Sequence, residues 1–362
     1  MPVVRFQTSL VVLPLAKPIG TAIHSIRSVG CVLLEIETDQ GVVGQSYIFT
    51  INADRLGAFD EMVRGLSHFV IGRDPCDTGA IWSDIWNEIN ATGHKGVTVA
   101  AMAAIDVACW DAVGRSIGLP LHKLFGACRD RIDTYASSGL WLSYSVDELQ
   151  AEASSFISQG FTAMKLRLGM ERIQDDIERV AKVREAVGPD VRLLVDANQK
   201  FSPKHAIALG RRMEPFDITW FEEPVITHNR RGSAEVRAAL DMPIATGETE
   251  YTRYGIKDLI DARAGDILMP DLQRIGGYTE FAKAAALSAA HDLPVSTHFF
   301  TEQSLAIAAA TANCISVEHT DWFSPLFNEE PEIVAGQILV PDRPGTGFTL
   351  AADLLKRFPL RS

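Results

Sequence analysis

From Ile132 onward the chain repeats one phrase: a short apolar, β-branched run, then a helical pattern, then another run. The runs are 132–138, 163–168, 192–197, 218–223, 243–247, 266–270, 294–297 and 316–318, eight in all. The segments between them carry helix-end signals. Ser145 and Glu148 form a capping-box pattern ahead of Leu149, Ala153, Phe156 and Ile157, and Gly160 is a stop. Ser202 before Pro203 is an N-cap followed by proline at the first helical position, with Ala206, Leu209 and Met213 on one face. Neighbouring parallel strands need a crossover, and a helix is the compact one. Eight strands joined in this way predict an α/β protein built on a closed parallel barrel of the TIM type. The last unit is irregular, with prolines and aromatics over 322–330.

Residues 1–131 have another rhythm. A run at 32–38, the turn Asp39-Gln40-Gly41 and a second run at 42–47 predict a β-hairpin, and 10–15 reads as an edge strand. Helical patterns follow at 54–70, 77–90 and 96–116, which makes this an α+β unit. The division is therefore 1–131, an N-terminal α+β domain; 132–322, the barrel; and 323–362, a C-terminal segment with a further strand, expected to pack back on the first domain.

Charge and cysteine content exclude several classes of function. The 34 Lys and Arg against 46 Asp and Glu leave a net charge of -12 with no basic run, which argues against a nucleic-acid partner. The longest stretch without a charge, 303–317, has 15 residues, short of the roughly 20 that cross a bilayer, so no membrane span is expected. The apolar patch at 10–15 is interrupted by Pro14 and lacks a small-residue cleavage site, unlike a signal peptide. Five scattered cysteines without a CxxC pair suit reduced thiols and a cytoplasmic location.

In such a barrel the C-terminal ends of the strands share one mouth, and chemistry is sought there. The third, fourth and fifth runs end near Asp196, Glu222 and Glu248, which are 26 residues apart, twice. Three carboxylates at equivalent points of adjacent strands repel one another unless a cation lies among them. All-oxygen ligation with open positions suits Mg²⁺, with Mn²⁺ as the alternative, better than Zn²⁺. Asp271 after the sixth run and His298 after the seventh are placed to pair, a carboxylate fixing the tautomer of an imidazole that acts as general base or acid. On the second run Lys165 and Arg167 alternate with Leu166, and both are expected to point into the barrel.

The series Lys165-Leu166-Arg167, Asp196-Ala197-Asn198, Glu222-Glu223-Pro224, Gly247-Glu248, Asp271 with Gly276-Gly277, His298 and Glu318 resembles the mandelate racemase subgroup of the enolase superfamily, along essentially the whole chain. The tail phrases 325–329 and 342–350 are similar to acid-sugar dehydratases that act on talarate and galactarate. The resemblance implies a modified (β/α)7β barrel under an N-terminal capping domain, with Asp196, Glu222 and Glu248 on Mg²⁺. The substrate is then a carboxylate whose α-proton is removed to give a metal-stabilised enediolate. By the same resemblance Glu318 is a protonated acid that hydrogen-bonds the substrate carboxylate. Asn198 and, from the capping loops at 20–30 and 47–52, His24 and Arg27 are substrate contacts, and the subunits form a homo-oligomer.

One departure bears on the reaction. Many members of the subgroup have Lys-x-Lys on the second strand, and the second lysine is a base; here that position is Arg167, a guanidinium that stays protonated near neutral pH. Racemisation needs a competent base on each face of the carbon, whereas dehydration needs one base and an acid for the leaving hydroxyl, roles that His298 can combine. Dehydration of an aldonate or aldarate is thus preferred over racemisation of a 2-hydroxy acid. A lysine at position 271 would mark the muconate-lactonising branch, and the chain has Asp271 there. The rival from another class is a catalytically silent carboxylate-binding protein.

Overall fold

The computed structural model describes residues 1–360; Arg361 and Ser362, the last two of the expected C-terminal segment, lie outside the described residues. The chain opens with an antiparallel sheet in the order β1 (Val3–Gly20), β2 (Ser25–Thr38), β3 (Val43–Ile51). The expected hairpin is the turn-proximal end of the longer β2–β3 pair, and the expected strand at 10–15 is part of β1, at the sheet edge. The turn between β2 and β3 runs through Gly41, whose φ of 76° falls where glycine meets no Cβ clash.

Helices α1 (Leu56–Gly65) and α3 (Val97–Ser116) cover this sheet, and α2 (Thr78–Glu88) packs on α3. α3 has 20 residues and a mean hydropathy of 1.5, long and apolar enough for a membrane, yet it is buried inside the fold. Its alanines let β3 approach closely. A Cβ on Gly44 of β3 would lie 2.1 Å from the Ala108 carbonyl oxygen and 2.7 Å from the Ala112 methyl. Backbone on that side cannot yield as a flexible side chain would, so Gly44→Ala is expected to destabilise the protein by about 2–3 kcal/mol, the scale of an overpacked core. Differential scanning fluorimetry should read a drop of about 5 °C; an unchanged midpoint would refute the close contact.

After α4 (Leu121–Leu124) the barrel begins. Its strands and helices alternate as β4 (Arg131–Ala136), α5 (Val146–Ser158), β5 (Ala163–Arg167), α6 (Ile173–Val187), β6 (Arg192–Asp196), α7 (Pro203–Met213), β7 (Ile218–Glu222), α8 (Arg230–Ala239), β8 (Ile244–Thr246), α9 (Thr252–Ala262), β9 (Ile267–Leu268), α10 (Leu272–Ile275), α11 (Tyr278–Ala289), β10 (Val295–Thr297), α12 (Thr301–Ala310) and β11 (Cys314–His319). Each of the eight strands pairs in parallel with the next, and β11 closes on β4 through Val317 with Thr134, Glu318 with Tyr135 and His319 with Ala136. The two helix starts legible in sequence are formed: Ser145 and Glu148 make a reciprocal capping box on α5, and the Ser202 hydroxyl accepts from the His205 N–H on α7.

The C-terminal segment departs from expectation. β12 (Ile333–Val334) and β13 (Gln337–Leu339) form a hairpin, and β13 pairs antiparallel with residues 131–133 of β4 instead of joining the first domain. β5 pairs with β4 only at Ala136 and Met164, which leaves the first half of that edge open, and β13 takes it, with the Thr134 N–H donating to Gly336 and the Gly336 N–H to Gly160. Beyond it, the segment does turn back. Thr346 N–H donates to Asp111 and Leu350 N–H to Gln45, and after α13 (Leu354–Arg357) the Phe358 carbonyl accepts from Val12 of β1.

Candidate active site

The barrel places the site by register. Arg167, Asp196 and Glu222 are cross-strand partners at the C-terminal ends of β5, β6 and β7. Glu248 follows β8 after Gly247, Asp271 is the N-cap of α10, His298 follows β10, and Glu318 stands in β11. Past these strand ends the backbone turns sharply: Asn198, Gln199, Glu223, Phe299 and Phe300 all have positive φ between 41° and 67°. Non-glycine residues in that region cluster where a site over-determines the backbone.

Lys165 sits at the centre of a buried ion cluster. Its Nζ lies 2.5 Å from Glu222 Oε1, 2.8 Å from Glu318 Oε1 and 3.7 Å from Asp196 Oδ2. Glu222 also accepts from the Trp220 indole, and Asp196 accepts from the backbone and side-chain amides of Asn198. Arg167 is buried with its guanidinium 4.8 Å over the Trp141 ring, donates to the Ser137 hydroxyl at 3.1 Å and lies 3.5 Å from Asp196, while its Nε and Nη1 find no hydrogen-bond partner among the described residues. His298 Nδ1 is 2.7 Å from Asp271 Oδ2, and its Nε2 is 3.3 Å from Glu248 Oε2. An ionised carboxylate only accepts, so Nδ1 carries the proton toward Asp271 and Nε2 faces the pocket.

These groups open into a pocket of about 100 Å³, lined by Lys165, Arg167, Asp196, Asn198, Glu248 and His298. The N-terminal domain roofs it with Ile23, His24, Ile26 and Ile51, and Trp141 and Trp322, stacked at 5.7 Å, form one wall. Glu222, Asp271 and Glu318 stand behind this lining, holding Lys165 and His298. Arg27 is not at the pocket: β2 pairing turns Ile26 inward and leaves Arg27 exposed, with its N–H on Asn52. The expected loop at 47–52 is also largely strand, and Tyr47 is buried between Phe300 and Phe323, each 5.1 Å away. The sequence reading missed Arg274, Gln199, Thr249, Trp141 and Trp322. Arg274 stands three residues after Asp271 and binds the Glu248 carbonyl at 2.7 Å, a spacing along a short helix that was open to inspection.

Residues 5–126 match the model of the mandelate racemase / muconate lactonizing enzyme N-terminal domain, and residues 148–354 match that of the enolase C-terminal domain-like family. The chain belongs to the mandelate racemase / muconate lactonizing enzyme family. The L-talarate/galactarate dehydratase of Salmonella typhimurium is 35% identical over 349 residues, 95% of this chain and 87% of that one. The D-galactarolactone cycloisomerase of Agrobacterium fabrum is 34% identical, with 90% of each chain covered. The crystal structure of L-talarate dehydratase from Polaromonas sp. JS666, complexed with Mg and L-glucarate, superposes with a TM-score of 0.94 at 36% identity, covering 99% of this chain and 98% of that one.

In this family member the electrostatics of the cluster are uneven. Burial acts most strongly on Glu222 and pushes its carboxyl above the usual range; Lys165 opposes this and Asp196, Glu318 and Glu248 add to it. The surroundings of Glu318 oppose the expected protonation. Burial pushes its carboxyl up, but Lys165, His298 and Arg167 outweigh burial, and its oxygens accept from Lys165, the Ser137 hydroxyl and the Phe299 N–H, so it is held well below the ordinary carboxylate range. Sequence reasoning counted the neighbouring acids and did not see these donors. Burial also pulls the His298 imidazole down, yet Glu248 and the hydrogen bond to Asp271 carry it up to about 9.

No three Asp, Glu, His or Cys side chains among the described residues are already drawn together as a metal cage, because the Lys165 ammonium stands among the oxygens. The donor set nonetheless fits a hard divalent cation: three buried carboxylates on adjacent strand ends, one of them pushed toward protonation by burial and, beyond that, by the negative charge of its neighbours.

Proposed function

We propose that this enzyme is a Mg²⁺-dependent acid-sugar dehydratase, removing the proton α to the carboxylate of an aldonate or aldarate and expelling the β-hydroxyl to leave a 2-keto-3-deoxy acid. The observation that carries this reading is the inequality of the two sides of the pocket: His298, oriented by Asp271, can take a proton, and Arg167 cannot. The acid-sugar dehydratases among the relatives support the class of reaction.

Asp196, Glu222 and Glu248 would hold Mg²⁺, which supplies positive charge against the negative charge that develops on the substrate carboxylate. Lys165 and Arg167 add fixed positive charge at the pocket wall, and the Arg167 guanidinium, whose Nε and Nη1 have no hydrogen-bond partner among the described residues, would turn toward a substrate oxygen. Against burial, Glu248 is a main reason the imidazole is held up at about 9, and a cation on Glu248 would offset that charge and bring the ring toward neutrality. His298 Nε2 would then take the α-proton, with Asp271 stabilising the imidazolium that results. His298 then returns that proton to the departing β-hydroxyl, which leaves as water, and the enol of the product becomes the ketone. Asn198 and His24 line the same pocket, where substrate hydroxyls would lie.

The test is incubation with Mg²⁺ in D₂O across aldonic acids, aldaric acids and mandelate, read by NMR. At least one acid sugar should yield a 2-keto-3-deoxy product. Absence of both exchange and turnover throughout the panel would overturn the reading, and exchange with inversion but no keto product would replace it with a racemase.

A further inference from the structure

We propose that Glu223 is a positioning residue that fixes the strand ends bearing Asp196, Glu222 and Glu248 relative to one another. Glu223 follows Glu222 directly but points the other way. Fully buried, it reaches across to β8, where its Oε1 accepts from the Thr246 hydroxyl and the Gly247 N–H, both at 2.8 Å. Its Oε2 accepts from the Thr227 hydroxyl at 3.2 Å, and that hydroxyl is in turn hydrogen-bonded to the Thr249 hydroxyl. The residues on either side of Glu248 are thus tied to one carboxylate, Gly247 directly and Thr249 through Thr227.

The backbone of the same residue completes the set. The Glu223 N–H donates to the Ala245 carbonyl of β8, and the Glu223 carbonyl accepts from the Gln199 N–H at 2.7 Å, in the loop that follows Asp196. Glu223 has a φ of 41° and Gln199 of 67°, a conformation that costs each of them on the order of 1 kcal/mol or more and persists only where surrounding contacts hold it. Glu223 therefore joins all three carboxylate-bearing strand ends without lining the pocket. Partners of this kind set the geometry of metal ligands, and their removal commonly weakens a metal about 10–100-fold.

This inference rests on the Mg²⁺ reading of the site. It is tested on the full chain by calorimetric titration with Mg²⁺ alone, with thermal midpoints measured in the absence of metal. Glu223→Ala should weaken Mg²⁺ at least about tenfold, and Glu223→Gln, which keeps an acceptor for the Gly247 N–H, should recover about half or more of that loss on a logarithmic scale. A purely structural role would lower the metal-free midpoint of Glu223→Ala and leave Mg²⁺ affinity unchanged, which would overturn the proposal. Equal losses in the two variants would overturn it as well. If Glu223→Ala does not fold, Thr227→Val decides, with weakened Mg²⁺ supporting the tie to Thr249 and unchanged affinity refuting it. A wild-type chain that binds no Mg²⁺ would overturn the parent reading too, whereas normal wild-type binding with an unaffected alanine variant removes only the role of Glu223.

Discussion

His298→Asn is expected to lower kcat for dehydration by about 10³-fold or more while leaving Mg²⁺ affinity within a few-fold of the wild type, since general acid–base groups typically contribute about 10²–10⁴ and His298 carries both proton transfers. Asparagine can keep a hydrogen bond to Asp271 but cannot accept the α-proton. Steady-state kinetics beside Mg²⁺ calorimetry checks both halves, and retained turnover would remove His298 from the role of base. The partner change Asp271→Asn has a pH signature. Burial already pulls the imidazole down, and the Asp271 hydrogen bond is one of the influences that carry it up to about 9. Loss of that carboxylate lowers the imidazole pKa, so the base form survives to lower pH. The acid limb of kcat/KM should therefore move to lower pH even as its plateau falls.

Glu222→Gln is expected to abolish the Mg²⁺-induced rise in thermal midpoint and to reduce turnover by about 10³-fold or more, because one of three anionic ligands is lost where stabilising the developing charge contributes most to the rate. Its effect on the metal-free protein has the opposite sign. Burial, reinforced by Asp196, Glu318 and Glu248, holds the Glu222 carboxyl above its unfolded value despite Lys165. A group that binds its proton more tightly in the folded chain withdraws stability as pH rises through that interval. At pH 8 the metal-free variant should therefore unfold at the wild-type temperature or above it, while the wild type alone responds to Mg²⁺. A variant that still responds to Mg²⁺ would exclude Glu222 from the ligand set.

The strand ends were legible because a parallel barrel converts sequence period into angular position. Asp196, Glu222 and Glu248 recur every 26 residues, and the structure sets them at neighbouring strand ends. The Asp271–His298 pair was readable for the same reason and is hydrogen-bonded. What escaped depends on distances between loops. Nothing in the order of residues says that Phe299 N–H and Ser137 surround Glu318, or that Trp141 and Trp322 meet across a wall. Arg27 was misplaced because the 20–30 segment was read as a loop; once β1 pairs with β2 up to Gly20 and Ser25, alternation sends Arg27 outward.

The N-terminal domain is not assembled from residues 1–131 alone. Thr346 rests on Asp111, Leu350 on Gln45 and Phe358 on Val12, so the sheet that roofs the pocket is braced by polypeptide made after the whole barrel. During synthesis all the groups that would move protons exist before their roof is secured. A protease cut between the barrel and Thr346 would loosen that roof without touching one residue of the pocket.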